Sequence, residues 1–193
     1  MILASASPRR KRLLREHGIR FRAVASRIPE PPPKAGEDPV SYAKKLAFAK
    51  ALAVAGKTGK GWVLGADTVV VLGRKIYGKP ASVGEARRIL KKLQGTTHRV
   101  ITAVALVNAA SGKRKVGHAV SRVTMRPLST LQISRYAKKH PDKAGAYAVQ
   151  EKMDPVVVRI RGSYTNVVGL PMELVKRMIK TTSCCSTGRA ARA

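Results

Sequence analysis

The chain opens on an apolar run, Met1-Ile2-Leu3-Ala4, that passes at once into Ser5-Ala6-Ser7-Pro8-Arg9-Arg10. A run of this kind reads as a buried strand, and Ser7-Pro8 reads as the cap and first residue of a helix. The strand therefore ends in small hydroxyls, free helix N–H groups and two guanidinium ions. Unpaired N–H donors, the helix dipole and bidentate Arg all favour phosphate, so Ser7 and Arg10 describe an anion site. The plain alternative is a capped helix with a solvated basic first turn. The rest of the chain has to decide between them.

With 193 residues the chain is long enough for one domain of ordinary size, and its 44% apolar content is that of a globular protein. Charge is the anomaly: 39 Lys and Arg against 10 Asp and Glu give +29. Such a field draws polyanions, but the basic residues run along the whole chain rather than in one block. Aromatics are 4%, too few for the stacking platforms of a single-strand binder. Nucleic acid is thus expected as at most a weak, non-specific partner. The two cysteines, Cys184 and Cys185, are adjacent and staple no distant segments. No apolar run has membrane-span length and the N-terminus lacks a signal-peptide pattern, so the expected setting is the cytoplasm.

Turn and cap signals divide the chain. A helix is predicted over Ser7 to His17, a short strand over Ile19 to Val24, an exposed loop over Pro29 to Gly36, and a helix over Val40 to Ala55. Trp62 to Leu64 reads as a strand leading into Gly65-Ala66-Asp67-Thr68. Val69 to Leu72 and Lys75 to Tyr77 then flank a turn at Gly73. Ser82 with Glu85 forms a capping box for a helix to Leu93. Val100 to Val107 and Ala119 to Met125 are expected to pair antiparallel. Further elements are a helix over Ser129 to Lys139, a strand over Val156 to Ile160 and a helix over Pro171 to Ile179. The irregular alternation predicts an α/β domain with a mixed sheet over residues 1–180. Thr181 to Ala193 is expected to be a disordered basic tail.

Two motifs are decoys. Gly56-Lys57-Thr58 lacks the first P-loop glycine, since Ala51 stands there, and Gly59, Gly61 and Gly65 miss the dinucleotide fingerprint by one residue. Both read as a flexible surface loop.

In a chain with so few acids each carboxylate is informative. Asp67 follows a buried apolar strand in a low-bulk segment that a ligand can approach closely. It can hold a divalent cation or accept a proton from an attacking water; the alternative is an Asp bonded to its own turn. Asp142 and Lys143, before Ala144-Gly145-Ala146-Tyr147, make a second cluster or a solvated ion pair. Lys79 at the Gly78-Lys79-Pro80 turn and Lys50 on the preceding helix can each meet phosphate as a point charge. His98 reads as structural rather than catalytic. Gly162-Ser163-Tyr164-Thr165-Asn166 is a capping turn or a pocket wall. The set suits phosphate chemistry on a metal-bound nucleotide and does not suit a Ser-His-Asp or Cys nucleophile.

These motifs, in this order, resemble the Maf family of nucleotide pyrophosphatases. The resemblance runs from Ile2 to Ile179 through Ser5-Ala6-Ser7-Pro8-Arg9-Arg10, Gly65-Ala66-Asp67-Thr68, Gly78-Lys79-Pro80, Leu93-Gln94-Gly95 with His98, Asp142 to Tyr147, and Gly162-Ser163-Tyr164 with Val168-Gly169-Leu170-Pro171. It implies an elongated ITPase-like α/β fold with two lobes and a central cleft, commonly a homodimer. The implied reaction takes a nucleoside triphosphate to the monophosphate and pyrophosphate. In that reading Asp67 is the proton acceptor, Glu30 and Asp67 face Mg²⁺ or Mn²⁺, and Arg10, Lys50 and Lys79 join Ser7 in holding phosphates. Arg9, Thr68 and Gln150 match the branch acting on dTTP and UTP. Glu151 after Gln150, Pro29 before Glu30 and the excess positive charge depart from the family pattern. The alternative function is a basic nucleic-acid-binding or cell-division regulatory protein on the same scaffold.

Overall fold

The computed structural model describes residues 1–139, 144–147 and 156–183. In chain order its elements are β1 (Ile2–Leu3), α1 (Pro8–Glu16), β2 (Arg22–Ala23), α2 (Pro39–Thr58), β3 (Trp62–Leu72), β4 (Lys75–Tyr77), α3 (Val83–Leu93), β5 (Thr97–Asn108), β6 (Arg114–Met125), α4 (Thr130–Lys139), a 3₁₀ turn (Ala144–Ala146), β7 (Val157–Arg161), α5 (Tyr164–Val168) and α6 (Met172–Ser183). Caps set most of these boundaries. Ser7 Oγ accepts from the Arg10 amide, Asp38 from Ser41 and Ser82 from Glu85, and Pro stands in the first turn of α1 and α2. Ser129 and Gln132 exchange amide-to-side-chain bonds ahead of α4, a capping box.

The strands form one seven-stranded mixed sheet in the order β2-β1-β3-β5-β6-β7, with β4 also paired to β3. β1 is parallel to β2 and β3; the remaining pairs are antiparallel. On one face α2 lays Leu46, Ala47, Ala51 and Val54 against Val63, Val69, Ile101, Ala103 and Ala105. The opposite face is divided. α3 and α4 cover one half through Ile89, Leu90, Leu93 and Ile133, and α1 and α6 cover the other through Leu13, Leu14, Val175 and Met178. The α/β layering and the mixed sheet match the expected architecture.

Several sequence expectations need correction. The strand does not end before Asp67: β3 is continuous from Trp62 to Leu72, so Asp67 lies mid-strand. Gly65 admits a helix rather than a ligand, because a Cβ there would lie 2.2 Å from Ala47 O and 2.7 Å from Ala51 N. Gly56-Lys57-Thr58 is the last turn of α2, closed by Gly59 at φ 66°, and is not a surface loop. The strand expected over residues 19–24 shrinks to Arg22–Ala23. The capping turn at Ser163 opens a separate five-residue helix, α5. α6 runs through Ser183, into the segment read as tail. Cys184 and Cys185 lie outside the described residues.

Candidate active site

β3 is paired along its inner edge from Trp62 to Val71, but its outer edge is interrupted. β1 pairs with Val63 and Leu64, and β4 pairs with Val70 to Leu72. Between them the strand faces a cleft of about 710 Å³. Leu64 O accepts from Ala4 N at one side of this gap, and Ala66 O, two residues on, accepts from Arg10. Strand alternation sends the Asp67 side chain to the α2 face and the Thr68 side chain to the opposite one.

On the α2 face, Lys50 Nζ lies 2.6 Å from Asp67 Oδ1 and 2.8 Å from Glu30 Oε1. Lys50 and Asp67 are both buried, while Glu30 is half-exposed at the cleft wall. Buried ions need close partners, and Lys50 has a carboxylate on each side. Burial raises the Glu30 pKa, but the Lys50 hydrogen bond and charge, with Lys79 and Arg10, outweigh it and hold Glu30 below its ordinary value. Lys79 is mostly exposed, with Nζ 3.9 Å from Glu30 Oε1. Among the described residues Lys50 is the one hydrogen-bond donor to Asp67, which leaves Oδ2 for a water or a cation.

On the opposite face Arg10 spreads its guanidinium over four protein acceptors. Nε donates to Gly169 O at 2.8 Å, Nη1 to Ala66 O at 2.9 Å and Ser5 Oγ at 3.4 Å, and Nη2 to Thr68 Oγ1 at 3.2 Å. The fork thus ties α1 to β3 and to the end of α5. Desolvation lowers the Arg10 pKa, against the attraction of Asp67 and Glu30. Thr68 Oγ1 continues to Thr102 Oγ1 at 2.9 Å, and Thr102 Oγ1 donates to Asn166 O at 2.9 Å. Asn166 is fully buried: Oδ1 accepts from Thr102 N, and Nδ2 donates to Val100 O and Ser121 Oγ.

The fold brings Ser7, Arg9, Arg10, Glu30, Lys50, Asp67, Thr68 and Lys79 to one cleft. Ser7 Oγ faces the α1 amides, 3.5 Å from Arg10 N. Asp142, Lys143 and Gln150 lie outside the described residues. His98 is not among the cleft residues: Nε2 meets Tyr147 Oη at 2.6 Å, and burial pushes its pKa down to about 4. Thr102, Asn166 and Ser5 were not picked out from sequence as site supports. The hydroxyl-rich end of the first strand hinted at Ser5 and the polar loop ending at Asn166 at Asn166, but their partners come from distant strands.

Asp67 and Glu30 also fit a hard divalent cation. Both oxygens converge within hydrogen-bond distance of one cationic atom, Lys50 Nζ. Among the described residues no three His, Cys, Asp or Glu side chains converge. A cation held by two carboxylates, with waters and substrate phosphates completing the shell, is the ordinary mode for Mg²⁺.

Residues 1–182 match the family described as Maf-like protein. A Pelotomaculum thermopropionicum protein named dTTP/UTP pyrophosphatase is 46% identical over 182 residues, covering 93% of this chain and 95% of the relative. Proteins of the same name from Geobacter sulfurreducens and Clostridioides difficile are 47% identical over 174 residues and 41% over 182. These cover 89% and 93% of this chain, and 91% and 93% of those proteins. The Staphylococcus aureus Ham1 structure superposes with a TM-score of 0.53 at 13% identity, covering 94% of this chain and 98% of that one, and so shares the fold. The resemblance carried by the sequence motifs and the match along nearly the whole chain coincide: the chain belongs to the Maf family.

Proposed function

We propose that the chain hydrolyses dTTP and UTP to the nucleoside monophosphate and pyrophosphate. The observation that carries this reading is Asp67, a carboxylate fixed mid-strand and lining a cleft that Arg9, Arg10, Lys50 and Lys79 also line. In this reading its carboxylate takes a proton from a water as that water's oxygen attacks the α-phosphorus. The bond from that phosphorus to the bridging oxygen then breaks and pyrophosphate leaves. Lys50 holds Asp67 and Glu30 in position, and Lys79 and Arg9 at the cleft wall meet the triphosphate. Arg10 supports the wall, since most of its donors are taken by the protein. A divalent cation bound at Asp67 and Glu30 would offset charge on the phosphate oxygens. The printed names of the relatives support the pyrimidine substrates, and Arg9, Thr68 and Gln150 support the same branch. The reading places the reaction in the cytoplasm, supported by a cysteine pattern suited to a reducing compartment. No helix among the described residues is long and apolar enough to cross a membrane.

Phosphorus NMR of the products from dTTP and UTP tests the proposal. Pyrophosphate and monophosphate are expected. Orthophosphate with a diphosphate overturns the reaction class, and faster turnover of 7-methyl-GTP overturns the branch.

A further inference from the structure

The +29 charge is not explained by the cleft, and the register of the sheet shows where part of it gathers. Arg99 on β5 pairs directly with Arg122 on β6, and Arg122 pairs directly with Arg161 on β7. Directly paired residues point to the same face, so three exposed guanidinium side chains stand in a row across three strands. Arg159, paired with Thr124, adds a fourth on that face. Like charges directly opposite in a sheet destabilise it, so folding does not account for the row. Among the described residues none of the four has a carboxylate within ion-pair distance. Arg99 Nη2 gives one bond to Gly73 O at 3.2 Å. Asp38 lies within electrostatic range of Arg99, but its carboxylate caps the Ser41 amide. None of these arginines lines the cleft.

We infer that this exposed arginine row, at the end of the β5, β6 and β7 face that α2 otherwise covers on β5, docks duplex nucleic acid through its phosphates. Adjacent strands are about 4.8 Å apart, so the row spans roughly 10 Å with planar forks that suit phosphate oxygens better than Lys does. Val120, exposed two residues from Arg122, offers no ring for base stacking, and a chain of only 4% aromatic residues is poorly suited to a single strand. A duplex has the higher charge density and the stronger counterion release. Binding is therefore independent of sequence and steeply salt-dependent.

The test is anisotropy of a short labelled duplex DNA, titrated at several salt concentrations with the full chain. The variant Arg99→Gln/Arg122→Gln/Arg161→Gln is compared with Arg87→Gln/Arg88→Gln/Lys91→Gln, which removes equal charge from exposed positions on α3. The first should bind at least about tenfold more weakly at low salt and lower the slope of log K against log salt by about 3; the second should change affinity less than about threefold. Equal losses in both variants, or none in the first, overturn the inference. Tighter binding of a single strand, or displacement of the duplex by polyglutamate at matched charge, overturns the occupant. A measurement on the unaltered protein covers failure of the variant to fold. Bound duplex should shield Arg99, Arg122 and Arg161 from phenylglyoxal and leave Arg87 and Arg88 reactive, and uniform labelling would also overturn it.

Discussion

Lys50 and Asp67 meet through a 2.6 Å contact that joins the middle of α2 to the middle of β3. A helix and a strand, neither a loop, thus fix the carboxylate assigned as the base. Asp67→Asn keeps the shape and removes the proton acceptor, while Glu30 remains as a partner for Lys50. Its kcat for dTTP should fall at least about a hundredfold. Retention of more than about a tenth of the activity would make Asp67 a support rather than the base.

Gly65 sets the distance between that helix and that strand. An added Cβ would lie 2.9 Å from Ala51 Cβ as well as against the α2 backbone, so Gly65→Ala must push α2 outward. A stability loss of about 2 kcal/mol or more is expected, with a fall in kcat as Lys50 moves with the helix. Gly56→Ala is the control, because nothing lies within 4 Å of its Cβ position and its helical site favours Ala. Urea denaturation of the two variants should separate them in opposite directions.

Arg10→Lys retains charge and discards the fork. At least one of the acceptors Gly169 O, Ala66 O, Ser5 Oγ and Thr68 Oγ1 then loses its bond, since an ammonium has three donors for four acceptors. A loss of about 2 kcal/mol in unfolding free energy is expected, since a Lys cannot replace bonds in several directions. Unchanged stability would show that these contacts are made as well by water.

His98 gives the protein a pH dependence above the range of its carboxylates. Its pKa of about 4 in the fold lies below the ordinary value of 6.5, so the unfolded chain binds the extra proton first. Stability is full above the unfolded pKa and falls as pH drops from about 6.5 towards 4, by a total of order 3 kcal/mol. Urea midpoints between pH 7 and 5 should decline in the native protein and flatten in His98→Gln. A decline of equal slope in both would place the titrating group elsewhere.

Helix starts were legible because capping is local. Ser7 with Pro8, Ser82 with Glu85, and Ser129 are signals within four residues of one another, and each opens a helix in the structure. β3 was misread for the converse reason. Gly65 and Asp67 are poor strand formers, and what keeps them in a strand comes from afar: the α2 backbone against Gly65, and Lys50 against Asp67. The motifs marked the cleft residues correctly as neighbours, yet the polar chain from Arg10 through Thr68 and Thr102 to Asn166 depends on pairings between strands. α5 is too short for periodicity to reveal.

The interruption in the outer edge of β3 has a consequence for how molecules of this protein meet one another. An unpaired strand edge is a template on which a second chain can add a strand, and edges of this kind favour aggregation. Here the exposed stretch is only as long as the space between β1 and β4, and Arg10 already occupies the Ala66 carbonyl within it. Positive side chains around the opening repel another copy of the same basic chain. The interruption is therefore also a guard against self-templating, with charge standing where another sheet would need a strand.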